Sequence, residues 1–196
     1  MVMEKEISAK ELKNILSTTL KEVAQNTATK NIKERAKEWV ERLAINLVKF
    51  YSVDNVISFS KYNFSHRKDF KLNELLYDIA VCQIEKEQSA NTKHDLWYIS
   101  DVLWEVESEL QEEDSAQIVK DFNKLVLGSA PNKLLIAAIP KNVEAYIRVL
   151  TPIANSCVRI HPGNVFIVFV AHPKQWQTIP LELKAYNLES NRMILF

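Results

Sequence analysis

Two uninterrupted apolar runs of strand length, Leu134 to Ile139 and Val165 to Ala171, do most to constrain what this chain can become. A strand that is apolar at every position has no face to give to water, so it belongs in a sheet covered by helices on both sides. Between the two runs, Val143 to Ala154 reads as a helix. The fold class that follows is α/β, a central mixed β-sheet flanked by helices.

The first fifty residues have a different period. Leu12, Ile15, Leu16 and Leu20 recur at helical spacing within Ile7 to Val23. After the polar break QNTATKN, Ile32, Ala36, Trp39, Leu43, Leu47 and Phe50 repeat the pattern in a longer helix. Those faces are too apolar to leave in water, so residues 1–52 are expected to pack as an N-terminal helical pair on an α/β core at 53–196. Val53 to Phe59 and Leu75 to Ile84 are short and rich in β-branched and aromatic residues, as strands are. Trp97 to Leu110 reads as one long strand or a strand pair. Asp114 or Ser115 can then cap a helix with apolar positions Ile118, Phe122, Leu125 and Val126, ended by Gly128 and Pro131. Leu183 to Phe196 can form a hairpin through LESN.

Composition removes several classes of function. With 25 basic and 25 acidic side chains, no global field draws the chain to phosphate, so any nucleic-acid contact must rest on a local patch. Two glycines cannot build a Gly-rich phosphate loop. Cys82 and Cys157 lack metal-ligand spacing, read as small core residues, and fit a reducing cytoplasm. His66, His94, His161 and His172 form no zinc pairing, and no GxSxG is present. The charged start MVMEKEISAKELK lacks the apolar region of a signal peptide, and the apolar runs fall far short of the ~20 residues a spanning helix needs, so membrane association is not expected.

The chemistry-bearing stretch is DVLWEVESEL, Asp101 to Leu110. Alternation in a strand sets Glu105, Glu107 and Glu109 on one face and Trp104, Val106, Ser108 and Leu110 on the other. Like charges so spaced need solvent, basic partners or a cation. A hard divalent ion with oxygen ligands is one solution. A solvated strand or surface helix is the other. Upstream, Asp78 abuts the apolar run Ile79 to Val81, as a carboxylate at a strand start would.

Glu74 and Asp78 in ELLYD, then WEVE at Trp104 to Glu107, then DFNKL at Asp121 to Leu125, together resemble the PD-(D/E)XK nuclease-like (restriction endonuclease-like) superfamily in an ExE variant. The resemblance covers about residues 73–171. It implies that Asp78 and Glu105 hold Mg²⁺ (or Mn²⁺), with Glu74 assisting in some members. Glu107 stands at the third position, where the family usually has Lys, and can act on the attacking water. Lys124, with Lys120 and Gln117 on the same polar side of the helix, can supply the missing positive charge. The catalytic set expected is therefore Asp78, Glu105, Glu107 and Lys124.

The stretch SKYNFSHRKDFK interleaves Lys61, His66, Arg67, Lys68 and Lys71 with Tyr62, Phe64 and Phe70. Basic and aromatic residues so mixed suit phosphate contact and base stacking, and equally suit a polar loop over a core. Nucleic-acid contacts are expected at Arg67, Lys68, Lys71 and Lys120, and a homodimer is compatible with this reading. Function divides into a metal-dependent nuclease, with DNA the first candidate substrate, and a binding protein that keeps the fold without cleavage.

Overall fold

The computed structural model describes residues 6–63, 65–71, 74–91, 94–110 and 115–196, with all their side chains except those of Arg67 and Lys68. Two long helices come first, α1 (Ala9–Asn26) and α2 (Ile32–Tyr51). Each opens on a capping box. Ser8 and Glu11 at the first, Asn31 and Glu34 at the second, exchange side-chain and backbone hydrogen bonds that satisfy amides the helix leaves unpaired.

Seven strands follow: β1 (Val56–Ser60), β2 (Ile79–Gln88), β3 (Asp95–Glu109), β4 (Asn132–Ala138), β5 (Asn164–Val170), β6 (Leu183–Glu189) and β7 (Arg192–Leu195). They form one mixed sheet in chain order. β3, β4 and β5 run parallel, joined by α4 (Ser115–Leu127) and α5 (Val143–Ile160), while the other neighbours are antiparallel. A single turn, α3 (Arg67–Phe70), crosses between β1 and β2, and a 3-10 turn, Pro173–Gln175, follows β5.

Both faces of the sheet are covered, as the apolar central strands require. On one, Leu12, Leu16 and Leu20 of α1 with Trp39, Leu43 and Leu47 of α2 bury against Trp104, Val106, Leu134, Ile136 and Val168. On the other, Ile118, Phe122 and Leu125 of α4 and Leu150, Ala154 and Cys157 of α5 bury against Ala80, Leu135, Ala137 and Ile167. Complete burial of a large aliphatic or aromatic side chain stabilises by about 1.5–3 kcal/mol, so α1 and α2 contribute one of the two core layers. Burial also lifts the Cys82 and Cys157 thiols to about 12 and about 11, which keeps them protonated and inert.

Trp97 to Glu109 belong to one long strand, not a pair, and Leu110 lies just beyond its end. β3 is longer than the sheet needs: β4 pairs only with Trp104 to Glu109, and β1 pairs only with Ile79 to Gln83 of β2. Beyond those limits β2 and β3 form a two-stranded arm that exposes Leu96, Trp97 and Tyr98. The ladder shifts register twice at the arm's base, between Val81 and Cys82 and between Gln83 and Ile84. α5 runs beyond Ala154 to Ile160, because Cys157 extends the buried stripe Leu150 and Ala154 by one more turn. The β6–β7 turn sets Ser190 (φ 47°) and Asn191 (φ 64°) in the left-handed region, as a two-residue hairpin of the right-handed twist needs. Asp114, the alternative cap of α4, lies outside the described residues. Among the described residues no helix is long and apolar enough to cross a membrane.

Candidate functional site

Strand register decides which carboxylates meet. Ile79 pairs with Val106 and Ala80 with Glu105, so Asp78, one residue ahead of β2, comes opposite Glu107. The Ser108 amide donates to Asp78 Oδ2 at 2.9 Å, which fixes that carboxylate at the mouth of β3. Glu107 is 1% exposed, and its Oε1 is buried without a hydrogen-bond partner.

α4 supplies the opposing wall. Gln117, Asp121 and Lys124, at steps of four and three, share one helical face. Lys124 Nζ stands 3.0 Å from both Glu107 Oε2 and Asp121 Oδ1. Gln117 Nε2 donates to Asp121 Oδ2 at 2.8 Å. These groups line a cleft of about 990 Å³, whose far side carries Lys33 and Lys37 of α2 beside Lys61 and Tyr62. Lys37 lies 5.0 Å from the centre of the Tyr62 ring.

The half-buried Asp78 opposes ionisation of the buried Glu107 beside it. Burial, then the Asp78 charge, raises Glu107 to about 8 despite the opposing pull of Lys124. Asp78 is raised too, mainly by burial and against the Ser108 amide and Lys124. Burial alone would lower Lys124, but hydrogen bonds to Asp121 and Glu107 outweigh it and raise the ammonium. Between about 4.5 and about 8, folded Glu107 therefore holds a proton that the unfolded chain releases. More protons on the folded state mean stability that is present at the acid end and lost as pH rises through this window, by up to about 1.4 kcal/mol per pH unit from this group. The melting temperature of the ion-free protein should fall across that range, and Glu107→Gln should flatten the fall. A wild-type profile as flat as that of Glu107→Gln would contradict a buried Glu107 raised beside the Asp78 charge.

Glu105, expected to hold an ion with Asp78, is committed elsewhere. It is 2% exposed, its Oε1 accepts from the amides of Ser129 and Ala130 at 3.0 and 3.2 Å, and its Oε2, like Glu107 Oε1, is buried without a hydrogen-bond partner. A Cβ on Gly128 would fall 1.7 Å from Glu105 Oε2, so only glycine leaves room for the carboxylate under the end of α4. Lys133, 1% exposed, donates to the Ala130 carbonyl at 2.5 Å; burial lowers its ammonium, and the Glu105 charge opposes that without a direct ion pair between them. The Tyr77 hydroxyl, buried and facing Glu105, is pushed above its ordinary range. Glu105 therefore braces the α4–β4 connection.

Asp78, Glu107 and Lys124 come together as a set, joined by Asp121 and Gln117. Asp121 lacked an assigned role in the sequence, although its spacing to Gln117 and Lys124 was the available signal. Lys120 is exposed on α4 and is not among the residues lining the cleft, because the helical face that meets the sheet passes through Asp121. Glu74 is exposed and likewise outside the lining. Lys71 stands exposed at φ 62°, and the side chains of Arg67 and Lys68 lie outside those described. In that stretch Phe70 packs edge-on against Phe59 at 5.1 Å and His66 lies 6.0 Å from the same ring, so these two rings cover the core.

No protein-family model matches the chain, and neither a curated protein nor a solved structure matches it. Among the described residues, no group of three His, Cys, Asp or Glu side chains is arranged to hold a metal ion. The cleft offers a carboxylate pair with one unpartnered buried oxygen. Mg²⁺ suits such a donor set, since it is often bound through one or two carboxylates while water and substrate phosphate complete its shell.

Proposed function

We propose that this protein is a metal-dependent nuclease of the PD-(D/E)XK kind, with Asp78 and Glu107 holding Mg²⁺ or Mn²⁺ and DNA as the first candidate substrate. The observation that carries this reading is Glu107: a buried acid, an orphaned oxygen and a second carboxylate beside it form a site that a hard cation would complete. A bound divalent ion stabilises charge on the attacked phosphate and favours ionisation of an adjacent water. Lys124, shared between Glu107 and Asp121, adds positive charge from α4 in place of the strand lysine usual in the family. Asp121 holds that ammonium in position, and Gln117 holds Asp121. In the reaction a water oxygen bonds to phosphorus, the phosphodiester P–O bond breaks, and the departing oxygen takes a proton.

One observation favours a second reading, a binding protein of the same fold without cleavage. With Glu107 rather than Glu105 taking the ion, the family's strand lysine would fall two residues further on, where the chain has Glu109, which also lines the cleft.

Titration with Mn²⁺ tests the ion site under both readings. Because Glu107 keeps a proton up to about 8, ion binding at neutral pH should expel about one proton, visible as a binding heat that changes with the ionisation enthalpy of the buffer. Asp78→Ala and Glu107→Ala should each abolish the heat. Heats equal to wild type in both variants would place the ion elsewhere.

A further inference from the structure

Next to the carboxylate cleft lies a second cavity, of about 580 Å³, at the carboxyl ends of the parallel strands β4 and β5. We propose that it is the subsite for a nucleotide with an unpaired base, adjacent to the phosphate that Asp78 and Glu107 would engage. This inference rests on the nuclease reading and names the substrate class for it, a single strand or a frayed end.

Position is the first argument. An α/β sheet opens its crevice beyond the carboxyl ends of its strands, and Ala138 at the end of β4 lines this one. His172 lines both this cavity and the carboxylate cleft, so the two spaces meet there. The junction is built firmly. Lys174 N donates to His172 Nδ1 at 3.1 Å, and Arg35 of α2 donates to the Pro173 carbonyl at 2.7 Å, tying the turn to the far wall of the cleft.

Chemistry is the second. Ile118, Ile139 and Tyr146 provide apolar and aromatic surface for a base and sugar, while Lys141 and Lys174 provide cations for the phosphates. Single strands are held by that combination of flat apolar contact and positive charge. The volume falls within the range of pockets that enclose one small molecule. A nucleotide still paired to a second strand brings its partner with it and does not fit.

The test is anisotropy of a short labelled DNA single strand without divalent ions, for wild type and the double variant Lys141→Glu/Lys174→Glu. Both lysines are exposed, so the variant should fold. Affinity should drop at least about tenfold, and the slope of log K against log salt should become shallower by about 1.4, at about 0.7 per phosphate contact on a single strand. Lys21→Glu, exposed on α1 outside both cavities, should bind as wild type does. Should the double variant melt early, Lys141→Gln and Lys174→Gln taken singly should each show about half the slope change. Unchanged affinity and slope in the variants, or a blunt duplex bound as tightly as the single strand, would overturn the subsite. Strand binding that depends on these lysines, with no cleavage in Mg²⁺ or Mn²⁺, would sink the nuclease reading and leave a strand-binding site standing. Cleavage with lysine-independent binding would do the reverse.

Discussion

Glu107→Ala should cut metal-dependent cleavage by at least about a hundredfold, the usual cost of losing one electrostatic stabiliser of a transition state, and should not lower stability at mildly alkaline pH. The two halves of that expectation share one cause. Without an ion, wild-type Glu107 must either keep its proton or ionise beside Asp78 in a buried position, and above about 8 it does the second. Alanine removes that repulsion, and Lys124 retains Asp121 as its partner. Asp78→Ala should lose cleavage similarly, with a stability loss of about 1–3 kcal/mol because the Ser108 amide is left without its acceptor. Glu109→Ala, on the same strand face, is the control. Equal losses in Glu109→Ala and Glu107→Ala, or a wild type inert toward DNA and RNA with either ion, would leave the non-catalytic binding reading in possession.

Glu105→Ala should behave in the opposite way. Its loss strands the Ser129 and Ala130 amides, and leaving two buried donors without an acceptor costs about 2–6 kcal/mol, at about 1–3 kcal/mol each. For a chain of this length that is roughly 4–24 °C of melting temperature. Glu105→Gln keeps an acceptor for the two amides and should lose less. Mn²⁺ should still bind Glu105→Ala at a temperature where it remains folded. A Glu105→Ala protein that melts with wild type yet no longer binds Mn²⁺ would return the ion to Glu105.

The contrast between these neighbours shows how far the sequence could be read. Periodicity was enough for α1 and α2, apolar runs for β4 and β5, and a polar turn for the β6–β7 hairpin, because each signal is local. Alternation likewise placed Glu105 and Glu107 on one face of β3. It could not say which of them meets Asp78, because that depends on register between strands, fixed by Ile79 opposite Val106 and the core both belong to. On α4, likewise, the choice between Lys120 and Asp121 depends on which face the buried stripe Ile118, Phe122 and Leu125 turns toward the sheet. Nothing in the basic stretch distinguishes rings that cover Phe59 from rings that await a base until β1 is in place.

The arm formed by the outer halves of β2 and β3 bears on how this chain can change over evolutionary time. Strand slippage moves every side chain to the opposite face, and a residue inserted between Glu105 and Glu107 would carry one carboxylate across the sheet. Each register shift at the arm's base inserts an extra β3 residue, Leu103 and then Ser100, so the ladder has already absorbed two changes of length there. Past that point the arm pairs with neither β1 nor β4. Insertions and deletions between Glu85 and Tyr98 can therefore accumulate without reaching Asp78 or Glu107, which makes the arm the segment most free to diverge in length and surface while the cleft stays as it is.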